Sequence, residues 1–344
     1  MKPIWKMNAA LALMAALACV RCASAADADG LAIAAPQVLR LLDRIVPGAA
    51  AFETTATDLD GHAGYRVAGA IGNDRYEGVV DAIVPRVLTV GKNGAEQYKW
   101  PGIFAVAHRG AMRFAPENTI SAYKKAIELG AHYIEMDVRE AKDGHFVIMH
   151  DPSVFRTTGG KGIVSALTVA EIKQFDAGAK FGPEFAGERV PTLDEALDAI
   201  AGKAMPDIDF KAGDPAKLVE VLRARGLLGK ATFANNDPVI LTKVIDCGGG
   251  QVLIRPAPPK ERDSVGVMQE TLDPPLANID DPSRFTEIHR AGIKVFTNTM
   301  SERQEDEEAH IKAAIEAYAD YIQTDRLDIL VPLLKQRGLY APHP

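Results

Sequence analysis

The chain has 344 residues, of which 47% are hydrophobic and 25% are charged. This is the composition of an ordinary globular protein, and it excludes disordered and collagen-like classes. The formal net charge is −7, so no general positive field is available for nucleic acid or an anionic membrane. Any phosphate that such a protein handles must be held by a few local cations or a metal ion.

The first 26 residues have the layout of a secretory signal peptide. Lys2 and Lys6 precede the apolar run AALALMAALACV, and Ala25 belongs to a small-residue pattern typical of a cleavage site. The run is too short to span a bilayer, so we expect export to the periplasm or the medium without stable membrane insertion. Lipoprotein anchoring at Cys19 is the less favoured alternative, because Ala16 stands where a larger aliphatic residue is usual.

Cleavage would change the charge and the cysteine content. The predicted signal carries three basic residues and no acidic one, so the remaining chain has a net charge of −10. It also contains Cys19 and Cys22, which leaves Cys247 alone. The mature chain can therefore form no internal disulfide, and its stability must come from core packing.

Residues 27–100 are predicted to form an N-terminal extension to which we assign no chemistry. The segment PQVLRLLDRIV, residues 36–46, has the apolar spacing of a helix behind a proline start. Residues from about 50 to 100 indicate short strands and turns. We expect this extension to pack against the main domain.

From residue 101 to 344, short apolar runs alternate with amphipathic stretches. The runs are IFAVAH, YIEMDV, PDIDF, ATFAN, QVLIRP, a weak one near PLANI, IKVFTN and DYIQTD. About eight strand–helix units over about 240 residues predict an α/β protein with a closed TIM (β/α)8 barrel rather than an open sheet.

The second strand of this barrel is predicted to be extended into a hairpin. The segment YIEMDVREAKDGHFVIMHD contains two alternating runs joined by a turn at Asp143 and Gly144. An insertion of about forty residues, roughly 151–190, then precedes the next barrel helix. Loops of that length usually serve a functional site.

The active site of a TIM barrel lies at the C-terminal ends of its strands. Here the strand ends carry polar and charged residues: His108, Glu135, Asp137, Asp209, Lys211, Asn235, Arg255, Asn298 and Asp325.

Three of these are carboxylates that could bind a divalent cation. Glu135 and Asp137 are two apart on one strand, so their side chains point to the same face, and Asp209 ends the next barrel strand. Carboxylates this close repel unless a cation lies between them or one takes a proton, and oxygen ligands suit Ca²⁺ or Mg²⁺. We favour one divalent cation, with Ca²⁺ preferred because the chain is predicted to be exported.

Two histidines end successive apolar runs. His108 and His150 bracket the carboxylate pair, an arrangement that suits a general acid and a general base near neutral pH. The sequence does not assign the two roles. His132, His145 and His310 lie in helix-end, turn and helix contexts, where surface or packing roles are expected.

Arg109 and Lys211 are local cations in an acidic chain. Arginine can hold a phosphate through two parallel hydrogen bonds, and lysine adds a point charge. Either could instead form a salt bridge with the nearby carboxylates. Together with a metal ion and two histidines, the two cations indicate a phosphodiester site.

These residues lie in text that resembles the glycerophosphodiester phosphodiesterase family. The resemblance begins with AHRGAMRFAPENT and YIEMDVREAKDGHFVIMHDPSVFRTTGGKG, continues through DIDFK, and ends in YADYIQTDRLDILVPLLKQ, covering roughly residues 103–336. It implies a TIM-barrel hydrolase with an insertion after the second strand. By position it implies catalytic roles for His108 and His150, phosphate binding for Arg109, metal binding for Glu135 and Asp137, and a supporting acidic residue at Glu117.

The chain departs from the family pattern at two strands. The family usually has Glu-x-Lys at the third strand, whereas this chain has Asp209-Phe210-Lys211, whose carboxylate reaches one methylene less. Phe296 stands where the family often has tryptophan, which suggests an altered apolar wall. Asn298, on the same strand, is assigned a supporting role.

The expected reaction is metal-dependent hydrolysis of a small glycerophosphodiester to glycerol 3-phosphate and an alcohol. Two alternatives stay open: a phospholipase that acts on intact lipid headgroups, and an inactive barrel that serves only in binding. The headgroup alcohol and the oligomeric state are not indicated by the sequence.

Overall fold

The computed structural model describes residues 34–43, 45–59, 62–82, 86–235, 237–247, 251–254, 276–278, 280, 282, 285–290, 294–301 and 303–343. The predicted signal peptide and the strand-end residue Arg255 lie outside these ranges. The chain divides into two compact units, and the boundary along the sequence falls between Trp100 and Pro101.

The N-terminal extension is one helix and an antiparallel meander. Helix α1 spans Ala35–Asp43, and the strands pair in chain order: β1 Glu53–Leu59, β2 His62–Ile71, β3 Asp74–Asp81, β4 Arg86–Lys92 and β5 Ala95–Lys99. The helix buries Val38, Leu41 and Leu42 in one cluster with Val67 and Val80 of the sheet. The extension therefore has a core of its own, and its predicted packing against the main domain stays a prediction.

The second unit is a closed parallel barrel, as predicted. Its strands in the described residues are β6 Phe104–Ala107, β7 Tyr133–Glu140, β9 Met205–Ala212, β10 Thr232–Asn235, β11 Gln251–Ile254, β12 Leu276–Asn278, β13 Lys294–Asn298 and β14 Tyr321–Thr324. Each pairs in parallel with the next, and β14 pairs with β6, which closes the ring. All eight apolar runs identified in the sequence are strands of this ring.

Helices follow the strands, and several of them begin at a capping side chain. The main ones are α2 Ile120–Glu128, α5 Leu193–Ile200, α6 Pro215–Ala224, α7 Pro238–Asp246, α8 Phe285–Arg290, α9 Gln304–Glu316 and α10 Leu327–Gln336. Thr192 and Glu195 form a reciprocal capping box at the start of α5. Asp214 caps α6 with a proline in its first turn. These caps satisfy amides that would otherwise lack partners and fix where each helix begins.

An aromatic layer fills the barrel interior at the N-terminal part of its strands. Tyr133, Phe296 and Tyr321 are buried in one cluster with Phe104 packed against it. The rings of Phe104 and Tyr321 are stacked with centroids 5.1 Å apart, and Tyr133 meets Tyr321 edge to face. We call this layer the aromatic floor. The polar strand ends lie on its C-terminal side.

The predicted hairpin and insertion are also present. Strand β8, Phe146–Ile148, pairs antiparallel with β7 around a turn in which Gly144 has a φ of 81°. The insertion contains two one-turn helices, α3 Phe155–Thr158 and α4 Val169–Ile172. Its buried cluster contains Val154, Val164, Ile172, Ala177 and Val190, together with Val147 of the hairpin. The insertion is therefore a packed structure.

None of the helices in the described part of the chain is both long and apolar enough to cross a bilayer.

Candidate active site

The carboxylate cluster lies inside the barrel above the aromatic layer. Tyr133, Glu135 and Asp137 alternate along β7 and therefore share one face, and Tyr133 belongs to the aromatic floor. Glu135 and Asp137 must then point into the barrel nearer its C-terminal end. Asp209 of β9 is paired in register with Asp137.

The three carboxylates converge and are buried. Each of Glu135, Asp137 and Asp209 offers an oxygen, and these oxygens all lie within 4.8 Å of one another. Their exposures are 2%, 0% and 4%. Lys211 Nζ donates to Asp209 Oδ2 at 2.6 Å and lies 3.0 Å from Asp137 Oδ1, at an angle that leaves this oxygen without a hydrogen bond.

The electrostatics of the cluster differ from one carboxylate to the next. Burial and the neighbouring charges of Asp137, Asp209 and Asp207 raise the pKa of Glu135 well above its ordinary value. Burial also acts to raise the pKa of Asp137, but Lys211, Arg109 and His150 outweigh it and lower that pKa. Binding of a proton or of a cation is therefore favoured at Glu135.

The loop after β6 approaches the cluster through strained backbone. Arg109 has a φ of 51°, and its backbone N–H donates to Glu135 Oε2 at 2.7 Å. Asn118 has a φ of 58°, and its side-chain amide donates to Asp137 Oδ2 at 2.7 Å. Left-handed backbone at non-glycine residues is costly and clusters at functional sites.

The Arg109 side chain lies between two carboxylates. Its Nη1 donates to Glu117 Oε1 at 3.1 Å, and its Nε lies 3.5 Å from Asp137 Oδ2 without forming a hydrogen bond. Both Arg109 and Lys211 therefore make ion pairs with site carboxylates, which is the alternative that the sequence left open for each.

His108 is paired with the aspartate that ends the last barrel strand. Its Nδ1 lies 2.8 Å from Asp325 Oδ1. The backbone N–H of Asp325 donates to Glu307 Oε1 at 2.9 Å, and Arg113 Nη2 donates to Glu307 Oε2 at 2.9 Å. Glu307 is fully buried. Through Glu307, helix α9 thus holds Asp325 in the position where it pairs with His108.

His150 is paired with its own neighbour in sequence. Its Nδ1 lies 2.7 Å from Asp151 Oδ1. Arg139 Nη2 donates to the carbonyl oxygen of His150 at 2.6 Å, which ties the end of the hairpin to β7. The pKa of Asp151 is lowered to about 2, chiefly by a hydrogen bond from Arg156. Asp151 is therefore ionised near neutral pH, so His150 must donate through Nδ1–H, which leaves Nε2 for proton transfer.

Two strand-end residues, Asn235 and Asn298, have other partners. The side-chain amide of Asn235 donates to the carbonyl oxygen of Phe210, and its Oδ1 accepts from the N–H of Asp237 at 2.6 Å, so it organises the loop after β10. Asn298 donates to Asp280 through its backbone and its side chain. Phe296, for which the sequence suggested an altered apolar wall, is buried in the aromatic floor.

Four residues that contact the site were absent from the sequence-based assignment: Asn118, Asp151, Arg156 and Glu307. Asp151 directly follows a candidate histidine at a strand end, and that adjacency was a usable signal. Glu307 lies in QEDEEAH, where it looks like one acid of a solvated helix face, although it is buried.

Comparison with known sequences identifies similar proteins. A model of the Glycerophosphoryl diester phosphodiesterase family matches residues 108–241. The glycerophosphodiester phosphodiesterase of Caldanaerobacter subterraneus is 36% identical over 252 residues, which cover 68% of this chain and 98% of that protein. The glycerophosphodiester phosphodiesterase of Bacillus subtilis is 40% identical over 141 residues, 37% of this chain and 48% of that protein.

Solved structures give the same relationship. A phosphodiesterase of Oleispira antarctica in complex with the product sn-glycerol-3-phosphate is 25% identical, with a TM-score of 0.61, over 68% of this chain and 97% of that one. The glycerophosphodiester phosphodiesterase of Agrobacterium tumefaciens is 28% identical, with a TM-score of 0.58, over 67% and 99%.

Proposed function

We propose a reaction and a division of roles from one premise: this chain belongs to the glycerophosphoryl diester phosphodiesterase family. The chain is a phosphodiesterase that hydrolyses glycerophosphodiesters. The products we assign are glycerol 3-phosphate and a free alcohol, in line with the product named for the Oleispira antarctica relative.

The observation that carries the proposal is the pairing of each histidine with an aspartate next to a buried carboxylate cluster. His108 Nδ1 is 2.8 Å from Asp325, and His150 Nδ1 is 2.7 Å from Asp151. With Nδ1 engaged, each ring has Nε2 available for a proton. A phosphodiester that is cleaved by hydrolysis needs one group to take a proton and another to give one.

The residues that would hold a divalent cation are Glu135, Asp137 and Asp209. Their oxygens lie within 4.8 Å of one another, one Asp137 oxygen lacks a hydrogen bond, and oxygen donors suit Ca²⁺ or Mg²⁺, so this set fits such an ion. When bound, the ion would supply Lewis-acid stabilisation of phosphoryl oxygens and lower the pKa of a coordinated hydroxyl. We favour Ca²⁺.

The proton steps are carried by the two histidines. One removes a proton from the nucleophile, which is water or the 2-hydroxyl of the glycerol moiety. As the bond from phosphorus to the leaving alcohol breaks, the other histidine protonates that oxygen. If the 2-hydroxyl attacks, the product is a cyclic phosphodiester, and attack by water opens it to glycerol 3-phosphate.

The cations of the site stabilise charge on the phosphoryl group. Arg109 keeps N–H groups free of hydrogen bonds, including its buried Nε–H, and Lys211 lies among the carboxylates at 2.6 Å and 3.0 Å. Charge that develops in the transition state is stabilised most by donors that are already in place. Glu117 holds Arg109 in position through its ion pair with Nη1.

The test is product release from a defined diester. The protein without residues 1–26 is treated with a chelator and incubated with glycerophosphocholine, and Ca²⁺ or Mg²⁺ is then restored while a coupled enzyme measures glycerol 3-phosphate. We expect release that depends on the added ion and is lost in D137N. R189A, an exposed substitution in the insertion, is the matched control and should keep full activity.

Two results would contradict the proposal. Release that is unchanged by chelation and by D137N would remove the metal role. No release from any small glycerophosphodiester, with release from phospholipid vesicles, would favour the lipid-cleaving alternative.

A further inference from the structure

Arg156 is a side chain of the insertion that contacts two carboxylates of the site, Glu117 and Asp151. It lies on the one-turn helix α3, directly after the exposed Phe155. Its Nη1 and Nη2 donate to the two oxygens of Glu117, each at 2.7 Å. Its Nε donates to Asp151 Oδ2 at 2.6 Å, and Nη2 also reaches Asp151 Oδ1 at 3.3 Å.

We propose that Arg156 is a positioning residue that holds His150 through Asp151 and Arg109 through Glu117. This inference rests on the proposed function, since it concerns two groups of that site. Asp151 is the partner of His150 Nδ1, and Glu117 is the partner of Arg109 Nη1. One guanidinium thereby fixes a proton-transfer group and a phosphate-binding group together.

The bonding of Arg156 indicates that it acts through these neighbours. A guanidinium has five N–H groups in a rigid fork, and four of them in Arg156 are directed at Glu117 and Asp151. Little donor capacity is left for a substrate phosphate. The parallel pair of bonds to Glu117 is the geometry in which arginine adds orientation as well as charge.

The backbone that carries Arg156 is itself held in place. Lys180 Nζ donates to the carbonyl oxygen of Arg156 at 2.6 Å and to that of Phe155 at 3.3 Å. Val154, two residues before Arg156, is fully buried in the insertion cluster. An ordinary surface ion pair lacks such support and contributes little. Here Glu117 is largely buried and Asp151 is partly buried, with side-chain exposures of 12% and 27%.

The proposal also explains why the insertion is packed. Helix α3, the buried cluster of the insertion and Lys180 together hold the Arg156 side chain in one position. A mobile loop of the same sequence would leave Asp151 and Glu117 without this common partner.

The kinetic test compares R156A and R156K with the wild type and with R189A. In R156A we expect kcat to fall about 10- to 100-fold, as when partners that orient catalytic groups are removed, with KM changed by less than about threefold. Added guanidinium ion should restore part of the kcat of R156A, because the guanidinium site is 45% exposed. R189A removes an equal charge from the same insertion and should retain wild-type kcat.

R156K keeps the charge and covers the case in which R156A does not fold. An ammonium group cannot bond both oxygens of Glu117 and Asp151 at once, so we expect folded R156K with kcat reduced at least about tenfold. Folded R156K or R156A with kcat within twofold of the wild type would overturn the proposal.

A spectroscopic test does not depend on catalysis. The ¹⁵N signals of the His150 ring, identified by their loss in H150N, should show a single Nδ1-protonated tautomer in the wild type and a mixture in R156A. An unchanged tautomer in folded R156A would contradict the positioning role. If the wild type hydrolyses no glycerophosphodiester, the proposed function fails, yet this measurement still decides whether Arg156 orients His150.

Discussion

The barrel holds His108 and its aspartate, whereas the hairpin and insertion hold His150 and its aspartate. His108 and Asp325 are 217 residues apart in sequence, and paired strands bring them together. Asp325 is bonded in turn to the fully buried Glu307. His150 and Asp151 are adjacent in sequence, and the half-exposed Arg156 fixes them from α3.

Because of this difference, we expect substitutions around the His108–Asp325 pair and around the His150–Asp151 pair to differ in their effects on stability and on catalysis. Asp325 and Glu307, which hold His108 in position, belong to the barrel, so changing them should affect both folding and catalysis. Asp151 and Arg156, which hold His150 in position, belong to the insertion, which has its own small core. Changing them should therefore affect catalysis with less effect on the stability of the barrel. The insertion is therefore where the reaction can be altered at the lowest cost in stability.

The largest expected effect comes from removing either histidine. H108A and H150A should each lose about 10²- to 10⁴-fold in kcat, because each deletes one proton-transfer group. Both should keep the wild-type circular dichroism spectrum. H145Q, on the exposed hairpin turn, is the control. If either variant retained near-wild-type turnover, the two pairs would not be equivalent partners in catalysis.

A second effect concerns the barrel alone. His132 is buried, accepts from the N–H of Ala105 at Nδ1, and bonds the carbonyl oxygen of Ala341 through Nε2. Burial lowers its pKa from 6.5 to about 4. A depressed folded-state pKa gives stability that is present above pH 6.5 and is lost as the pH falls through about 4.

The corresponding loss is about 3 kcal/mol of unfolding free energy. It can be measured by urea denaturation at about pH 7 and at about pH 4. H132Q should reduce this pH dependence, whereas H145Q should leave it unchanged. An equal loss in H132Q and the wild type would show that acid destabilises the protein through other groups.

The smallest expected effect is the difference in unfolding free energy between a substitution at Glu307, which holds Asp325, and one at Asp151, which pairs with His150. E307Q should lower the unfolding free energy by about 1–3 kcal/mol, because it weakens buried bonds to Arg113 and to the N–H of Asp325. D151N should lower it by less than about 1 kcal/mol, since Asp151 is partly exposed, while reducing kcat at least about tenfold. Equal stability losses in the two variants would remove the distinction.

The barrel could be predicted from the sequence because its signal is local. Each strand is a short apolar run followed by a helical stretch, and even the weak run at residues 276–278 forms a strand. The strand-end rule then identified the carboxylates and His108, and Glu135, Asp137 and Asp209 converge as expected.

The residues that hold the catalytic groups in position were harder to predict, because their partners are distant in sequence. Arg156 meets Glu117 across 39 residues, and Arg113 meets Glu307 across 194. No periodicity marks such contacts. The alternation of side chains along β13 does not tell which layer of the barrel a residue occupies, and Phe296, for which the sequence suggested an altered apolar wall, lies in the aromatic floor.

The most direct test of two-histidine catalysis changes the leaving group. H108A, H150A and the wild type are compared on glycerophosphocholine and on a glycerophosphodiester with a 4-nitrophenyl leaving group, which departs without needing a proton. Catalysis by one acid and one base predicts that one variant recovers most of its activity on the nitrophenyl ester while the other stays inactive on both substrates. Equal losses on both substrates in the two variants would contradict separate acid and base roles for His108 and His150.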